Sequence, residues 1–170
     1  MIKAIFTGDK IVSNSEEAFS LYERSSFGER KSGRIEYASV EALFLVTERK
    51  LQVFTGKKSL DIDFLIKKIR KRDKKIETKL IVFTDIRKRG YIVKTALKFG
   101  AEFRVYEKGI KPGQNHALWI LYTTNEHDSL NWHDFTSKNR VAHSTKKRLL
   151  IAIVDDESDV SYYEVSWMKP

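Results

Sequence analysis

The chain has 170 residues, 41% of them hydrophobic, with 32 Lys and Arg against 23 Asp and Glu, a formal net charge of +9 at pH 7. This size and composition predict one or two small globular domains and exclude a large multidomain assembly, while the positive field favours a polyanionic partner without separating RNA, DNA and membrane. The lack of cysteine excludes a disulfide framework, and the lack of a secretory h-region or of an apolar run of about 20 residues leads us to expect a cytoplasmic protein that does not enter a membrane.

The first half of the chain is predicted to mix helices with short strands. Weak alternation around Gly8 predicts two short strands within residues 1–14. Three helices are predicted to follow a polar residue whose side chain accepts a hydrogen bond from the first helical turn. Asn14 or Ser15 is predicted to cap a helix at 16–25, Ser39 a helix at 40–50 and Ser59 a helix at 60–70. One further strand is predicted at 35–38.

A basic segment and a domain joint follow. Seven of the nine residues at 67–75, KKIRKRDKK, are basic. A solvated helix end, whose cations complement the helix dipole, explains such a run as well as a contact with a polyanion does. Because residues 73–79 are charged and nearly free of large apolar side chains, we place the joint there. It separates an N-terminal α/β domain at 1–75 from a C-terminal domain at 76–170.

The second half is predicted to be rich in strands. A helical pattern from Ile76 to Arg89, followed by Gly90, indicates a helix with a glycine C-cap. The remaining elements are strands at 91–97, 101–106 and 116–122, a loop at 123–135, a helix at 136–147, and a hairpin of strands 149–155 and 160–167 around the turn DDESD. The predicted fold class is α+β (mixed α/β), with a small N-terminal helix–strand domain followed by a C-terminal mixed sheet with flanking helices.

The sequence gives little support for a metal or a nucleotide cofactor. Its four histidines have no metal-binding spacing and no cysteine accompanies them; they are His116, His127, His133 and His143. Neither a glycine-rich phosphate-binding motif nor a serine nucleophile elbow occurs. We therefore expect no metal and no cofactor.

Within the predicted helix at 136–147, three side chains that carry or can carry positive charge share one stripe. Arg140 and Lys147 are seven residues apart, which is two helical turns with a drift of about 20°, and His143 lies between them. The exposed face of an ordinary amphipathic helix shows the same pattern. The stripe alone therefore does not decide between a functional face and a solvated one.

The stretch at 106–116, YEKGIKPGQNH, has a phenol and an imidazole at its two ends. Tyr106 ends one predicted strand and His116 begins the next, and the Pro-Gly pair between them favours a turn that brings the ends together. With the ammonium of Lys147 these side chains make a metal-free set for RNA cleavage. In that chemistry one group removes the proton of the ribose 2′-OH, another protonates the leaving 5′-oxygen, and a cation stabilises the phosphorane.

Two segments resemble the archaeal tRNA-intron endonucleases, also called tRNA-splicing endonucleases. RKRGYIVKTALKFGAEFRVYEKGIKPGQNHALWI at 87–120 is similar to the family segment in which a helix ending in Arg-Gly-Tyr leads through strands to a catalytic tyrosine and histidine. RVAHSTKKRLLIAIVD at 140–155 is similar to its lysine-bearing helix and following strand. The sequence departs from the family pattern at Ala96, where many relatives carry glycine.

The resemblance implies roles for individual residues. It implies Tyr106 as general base, His116 as general acid and Lys147 as the cation that stabilises the phosphorane. It also implies that Arg140 and Trp167 hold a flipped base of a bulge, since a guanidinium plane and an indole both stack on bases. We expect His143 to pack or to orient a neighbour and not to react.

At the level of function, the resemblance implies a metal-independent lyase that cleaves precursor tRNA at both intron boundaries. The cleavage sites lie in a bulge-helix-bulge, and the products carry a 2′,3′-cyclic phosphate and a 5′-hydroxyl. The resemblance also implies a homotetramer in which an acidic loop plugs a basic pocket on a neighbouring subunit. In this chain that loop, at 123–135, carries Glu126, Asp128 and Asp134.

Two other interpretations stay open at this point. The basic segment 67–75 and the aromatic content are also typical of a non-catalytic RNA-binding or structural subunit that needs a separate catalytic partner. The acidic turn with Asp155, Asp156 and Glu157 suits a metal-dependent nuclease, although such acids are common in solvated turns.

Overall fold

A computed structural model describes residues 1–170 and divides them into two compact units, Met1–Phe83 and Thr84–Pro170. Five α-helices and eleven strands in two sheets confirm the predicted α+β class. The division between the units falls inside a helix, and the domain boundary after residue 75 stays a prediction. No helix combines the length and the apolar character that a membrane crossing requires.

The first unit is built on a six-stranded mixed sheet. Its strands in chain order are β1 (Ile2–Phe6), β2 (Ile11–Ser13), β3 (Glu29–Lys31), β4 (Arg34–Tyr37), β5 (Leu51–Thr55) and β6 (Lys58–Leu60). Their order across the sheet is β3-β4-β2-β1-β5-β6. β1 and β5 are parallel, and all other neighbours are antiparallel.

One face of this sheet carries the core of the first unit. Successive side chains of a strand point to opposite faces, and in β1 Ile2 and Ala4 are buried whereas Lys3 and Ile5 are exposed. The helices of this unit are α1 (Glu16–Ser25), α2 (Ser39–Thr47) and α3 (Ile62–Arg70). α1 contacts β4, and α2 contacts both β5 and α3.

One of the three predicted helix caps is confirmed and two are wrong. The Ser15 hydroxyl accepts from the Ala18 N–H at 3.3 Å. α3 instead begins after Asp61, whose carboxylate accepts from the Phe64 N–H at 2.7 Å. Ser59 lies in β6 because residues 51–60 form a hairpin that the sequence pattern did not indicate.

The third cap differs by one residue. Ser39 is the first residue of α2, and the residue before the helix is Ala38. The buried carboxylate of Glu41 accepts from the Ala38 N–H at 3.0 Å. A glutamate in the first turn thus bonds back to the residue before the helix, which differs from the predicted serine cap, and its negative charge suits the positive end of the helix dipole.

Helix α4 (Ile76–Lys88) begins in the first unit and ends in the second. Its end confirms the predicted glycine C-cap. Gly90 has a left-handed φ of 93°, its N–H donates to Arg87 O at 3.0 Å, and the Tyr91 N–H donates to Ile86 O at 3.3 Å. This pair of bonds is a Schellman motif, which stops the helix and turns the chain toward the next strand.

The second unit is built on a five-stranded mixed sheet. Its strands in chain order are β7 (Ile92–Ala96), β8 (Ala101–Tyr106), β9 (Trp119–Asn125), β10 (Arg148–Val154) and β11 (Val160–Val165). Their order is β11-β10-β9-β8-β7, with β9 and β10 parallel and the other pairs antiparallel. The antiparallel β10–β11 pair confirms the predicted hairpin.

The region between β9 and β10 is shifted from the prediction. β9 ends at Asn125, so the strand predicted at 116–122 lies three residues too early. Helix α5 spans Trp132–Ser144, and Asn131 accepts from the Asp134 N–H at 2.8 Å as its cap. Both shifts shorten the predicted loop at 123–135. The strand continues because Thr123 and Thr124 pair with β10, a contact that no local pattern reveals.

Helix α5 packs on one face of this sheet through Ala142, which joins a buried cluster with Ile120 and Leu149. Charged and polar groups tie α4 to β11. The Tyr162 hydroxyl donates to Asp85 Oδ2 at 2.7 Å, and Arg89 Nε donates to the same oxygen at 2.7 Å. Partial burial works against ionisation of Asp85, but these two donors outweigh it and lower the pKa of the carboxyl group.

We predict that Tyr162→Phe lowers the free energy of unfolding by about 1–2 kcal/mol, because it removes a hydrogen bond to a partly buried carboxylate. Urea unfolding at pH 7 measures this loss. The lowered pKa of Asp85 means that its stabilisation is present above the pKa of an unfolded aspartate and is lost as pH falls through the folded value. The difference between wild type and variant should therefore shrink in acid. Equal stability of the two proteins at pH 7 would contradict the assignment.

Candidate functional site

The site begins with the backbone of Leu118, which links three segments of the second unit. The Leu118 N–H donates to Val105 O at 2.9 Å, and the Arg148 N–H donates to Leu118 O at 3.0 Å. The register continues through Trp119, which is paired with Val105 on one side and with Arg148 on the other. Tyr106, the last residue of β8, directly follows Val105, and Lys147 directly precedes Arg148, so both lie next to a residue that is paired with Trp119.

Tyr106 and Lys147 lie on the same face of the sheet. Alternate residues of a strand share a face: Tyr106 is two residues after Arg104, which is paired with Ile120, and Lys147 is two residues before Leu149, which is paired with Ile120 as well. With neighbouring strands about 4.8 Å apart and one strand between them, the two Cα atoms are separated by about 10 Å. Long side chains from these positions can reach one bound group.

Lys147 lies beyond the C-terminal end of α5 and not on the surface of that helix. The helix ends at Ser144, and Lys146 has a left-handed φ of 55°. The Lys146 N–H donates to His143 O at 3.0 Å and the Lys147 N–H to Ala142 O at 2.9 Å, which is a Schellman motif. The prediction of a helix at 136–147 with Arg140 and Lys147 on one stripe is therefore wrong. The motif turns the chain before Lys147, so the lysine leads directly into β10 and is not part of the helix.

The ammonium of Lys147 is partly buried and has fixed neighbours. Its Nζ donates to Thr145 O at 2.9 Å and lies 5.4 Å from the centre of the Phe99 ring. Burial, and secondly the guanidinium of Arg104, lower the pKa of Lys147. Arg104 is two residues before Tyr106 on β8, so it shares the face of Tyr106 and Lys147. One hydrogen bond leaves two ammonium protons for a ligand.

His116 lies in the loop between β8 and β9, two residues before Leu118, and is exposed. Its backbone N–H donates a hydrogen bond to Asn115 Oδ1 at 2.8 Å. It lines a cavity of about 180 Å³ together with Lys146 and Arg148, the two neighbours of Lys147. His116 thus lies at the end of the sheet where β8 ends and β10 begins, and its imidazole is accessible, although neither Tyr106 nor Lys147 lines this cavity.

Arg140 and Trp167, the two residues predicted to hold a base, line one cavity of about 420 Å³ with His143. Trp167 follows β11 and is 57% exposed. Its ring centre lies 4.9 Å from that of His143, with an angle of 52° between the planes. Arg140 and His143 are three residues apart on α5 and so face the same side of that helix. The Arg140 guanidinium and the Trp167 indole therefore line the same cavity, and the His143 imidazole packs against the indole.

The acidic turn between β10 and β11 uses its carboxylates locally. Asp155 Oδ1 accepts from the Glu157 N–H at 3.0 Å. Glu126, His127 and Asp156 bring three potential metal-ligand atoms within 4.8 Å of one another, and all three residues are exposed. His127 Nε2 is 3.2 Å from Asp156, and this carboxylate, with that of Glu126, raises the pKa of His127. Since a metal binds the neutral imidazole, the cluster is better explained as an ion pair.

Sequence patterns did not single out Arg104 or Phe99, which both surround the Lys147 ammonium. For Arg104 a signal existed in the alternation of β8, which puts residues 104 and 106 on one face. For Phe99 there was none, because its contact with Lys147 joins the turn after β7 to the end of α5.

Two family models match most of this chain. The model described as tRNA intron endonuclease, catalytic C-terminal domain, matches residues 76–162, and the corresponding N-terminal domain model matches residues 2–66. Among curated proteins the chain is similar to tRNA-splicing endonucleases of Thermococcus gammatolerans (37% identity, 99% of both chains) and Pyrococcus horikoshii (38%, 99% of this chain and 97% of the relative). The protein of the same description from Methanothermobacter thermautotrophicus is 36% identical over 96% of both chains.

We predict that Arg104→Gln raises the pKa of Lys147, because it removes a positive charge that lowers this pKa while leaving the lysine partly buried. Titration of the lysine Cε resonances by NMR measures the change. Arg148→Gln is the matched control, since Arg148 adjoins Lys147 in sequence but forms an ion pair with Glu164 at 3.3 Å. An unchanged Lys147 titration in Arg104→Gln, or the same rise in the control, would show that Arg104 does not act on the ammonium.

Proposed function

The chain belongs to the tRNA intron endonuclease family, and from this premise we propose that it cleaves precursor tRNA at both intron boundaries without a metal ion. The proposed cleavage sites lie in a bulge-helix-bulge. The observation that carries the proposal is that Tyr106 ends β8 while His116 and Lys147 precede β9 and β10, at the same end of these neighbouring strands. It supports a catalytic role over a purely structural one, because groups suited to complementary proton and charge roles lie beside the same ends of three neighbouring strands.

In the proposed reaction, Tyr106 acts as a phenolate, takes the proton of the ribose 2′-OH and becomes a phenol. The 2′-oxygen then forms a bond to the adjacent phosphorus, and the bond from phosphorus to the 5′-oxygen breaks. His116, acting as an imidazolium, gives a proton to that leaving oxygen and becomes neutral, a role that an accessible imidazole can fill. The products are a 2′,3′-cyclic phosphate and a 5′-hydroxyl, so proton and charge balance without water or metal.

Lys147 is proposed to stabilise the phosphorane. The negative charge on the phosphoryl oxygens increases as the 2′-oxygen attacks, and a fixed cation near them lowers the barrier. Partial burial strengthens this attraction because less water screens it. The hydrogen bond from Nζ to Thr145 O holds the ammonium in place before the substrate arrives.

Arg140 and Trp167 are proposed to hold a base of the bulge. An unpaired base can leave its stack and insert between planar groups, which interact with it through stacking and cation–π contacts. The shared cavity of about 420 Å³ supports this pairing. His143 lies against the Trp167 indole and is proposed to orient it.

The substrate has two scissile bonds and each chain has one set of these residues, so at least two copies must act on one RNA. We propose a homotetramer as the working form. β11 lies at the edge of its sheet, and Tyr163 on this strand is 55% exposed, which offers a surface for a two-fold contact. A precursor-tRNA substrate also places the proposed activity inside the cell.

We predict that the purified protein cleaves a bulge-helix-bulge RNA in excess EDTA and that His116→Ala slows cleavage by about 10²–10⁴-fold while RNA affinity stays near wild type. Single-turnover rates and electrophoretic binding assays measure the two quantities. End-group analysis should find cyclic phosphate and 5′-hydroxyl termini. Tyr106→Phe and Lys147→Gln should also slow the chemical step.

His133→Ala is the matched control, because His133 is an exposed histidine in the first turn of α5. Activity that needs Mg²⁺ and survives Tyr106→Phe would overturn the mechanism in favour of a metal-dependent nuclease. Cleavage that begins only when a different chain is added would support the alternative, a non-catalytic subunit that binds RNA.

We predict that the solution mass, measured by light scattering after size exclusion, is near four times 19.8 kDa. Tyr163→Asp should reduce it, because a charge on the edge strand opposes pairing with a second copy. Leu97→Asp changes another exposed apolar residue, outside β11, and should leave the mass unchanged. A monomeric wild-type protein that still cleaves both boundaries would refute the proposed assembly.

A further inference from the structure

The face of the first sheet opposite its core carries a groove of about 680 Å³ that the proposed reaction does not use. We call it the outer-face groove. It is lined on the strands and turns of the first unit by Lys3, Ile5, Val12, Arg34, Phe54 and Lys57.

The floor of the outer-face groove is apolar and includes an aromatic ring. Ile5 is paired with Val12 on one side and with Phe54 on the other, so these three side chains form one row across the sheet. Ile5 is 56% exposed, although most large aliphatic side chains of this unit are buried. Val12 is buried, so the apolar surface that this row presents to solvent comes from Ile5 and from the partly exposed ring of Phe54.

The rim of the outer-face groove is positively charged. Lys3, Arg34 and Lys57 are exposed, and no Asp or Glu is among the residues that line the groove. Arg34 is bonded to Glu36 at 3.3 Å, which partly neutralises it. Lys3 and Lys57 then provide two cations on either side of the apolar floor.

We propose that the outer-face groove binds an unpaired, single-stranded segment of RNA. Bases of a single strand are free to stack on an aromatic ring while the backbone phosphates follow cations at the rim, and this combination of features is found in the groove. A duplex fits less well, because its bases already stack on one another. The inference rests on the proposed function for the source of the RNA, a precursor with unpaired segments.

The same features disfavour two other occupants. A second copy of the chain would bring the same cations against this rim, and the like charges would repel. A membrane surface also attracts cations, but a groove offers its apolar floor to a narrow ligand and not to a broad lipid surface. Vesicle binding is therefore included as a test of the proposal.

The experiment measures fluorescence anisotropy of a labelled 12-nucleotide oligouridine with the full-length protein. Phe54→Ala should weaken binding about tenfold, in line with the loss of one base–aromatic stack. Phe54→Tyr should restore the affinity, because it keeps a ring, whereas Phe54→Leu keeps the apolar floor and should not. Circular dichroism melting of each variant checks that the fold is retained.

A double variant tests the rim. Lys3→Gln with Lys57→Gln should weaken binding and reduce the slope of log affinity against log salt by about 1.4, since each phosphate contact to a single strand contributes about 0.7. Arg24→Gln with Lys50→Gln is the charge-matched control. These two exposed cations lie in the same unit and line a different depression. The control should keep the wild-type salt slope.

A minimal bulge-helix-bulge without single-stranded extensions separates this inference from the proposed function. Phe54→Ala should cleave it at the wild-type rate, and an inactive wild type would refute the function while the binding assays still decide the groove. Equal oligouridine affinity in Phe54→Ala and wild type, or equal salt slopes for the groove and control doubles, would overturn the inference. Tight binding to anionic lipid vesicles that Phe54→Ala abolishes, with RNA binding unchanged, would assign the groove to a membrane surface instead.

Discussion

Two hydrogen bonds of one backbone unit, that of Leu118, organise the second half of this protein. Its N–H bonds to the end of β8 and its C=O bonds to the start of β10. These bonds fix an antiparallel pair on one side and a parallel pair on the other. Because paired residues and alternate residues of a strand share a face, the register of Arg104 and Leu149 with Ile120 decides that Tyr106 and Lys147 face the same side of the sheet. A slip of one residue in either pair would send one of them to the opposite face.

The way in which α5 ends matters as much as the register. A helix that continued to residue 147 would carry Lys147 on its own surface, away from Tyr106. The Schellman motif at Lys146 instead releases the chain into β10, and the lysine enters a partly buried site beside Phe99 and Arg104. The positive charges gathered there disfavour one another, and an anion between them relieves that repulsion. A phosphodiester is such an anion.

The two units use their sheets differently. In the second unit the candidate catalytic groups lie at the ends of strands. The interior strands of its sheet are largely buried. In the first unit one face of the sheet packs against helices and the other keeps Ile5 and Phe54 in contact with solvent between cations. An exposed apolar row is disfavoured in water unless a ligand covers it, which is why this face suggests binding and not only structure.

The sequence by itself determined features that depend on neighbours in the chain. These include the fold class, the α4 helix with its Gly90 cap and the β10–β11 hairpin, because periodicity and turn residues act over a few residues. It also suggested Tyr106, His116 and Lys147, first from the predicted turn between the tyrosine and the histidine and then through the family resemblance, which implied their roles. Only the tertiary structure decided the bounds of β9, the end of α5 and the neighbours of Lys147. Strand pairing between β9 and β10 joins residues more than twenty positions apart, and hydrogen bonds of that range leave no local signature in the sequence.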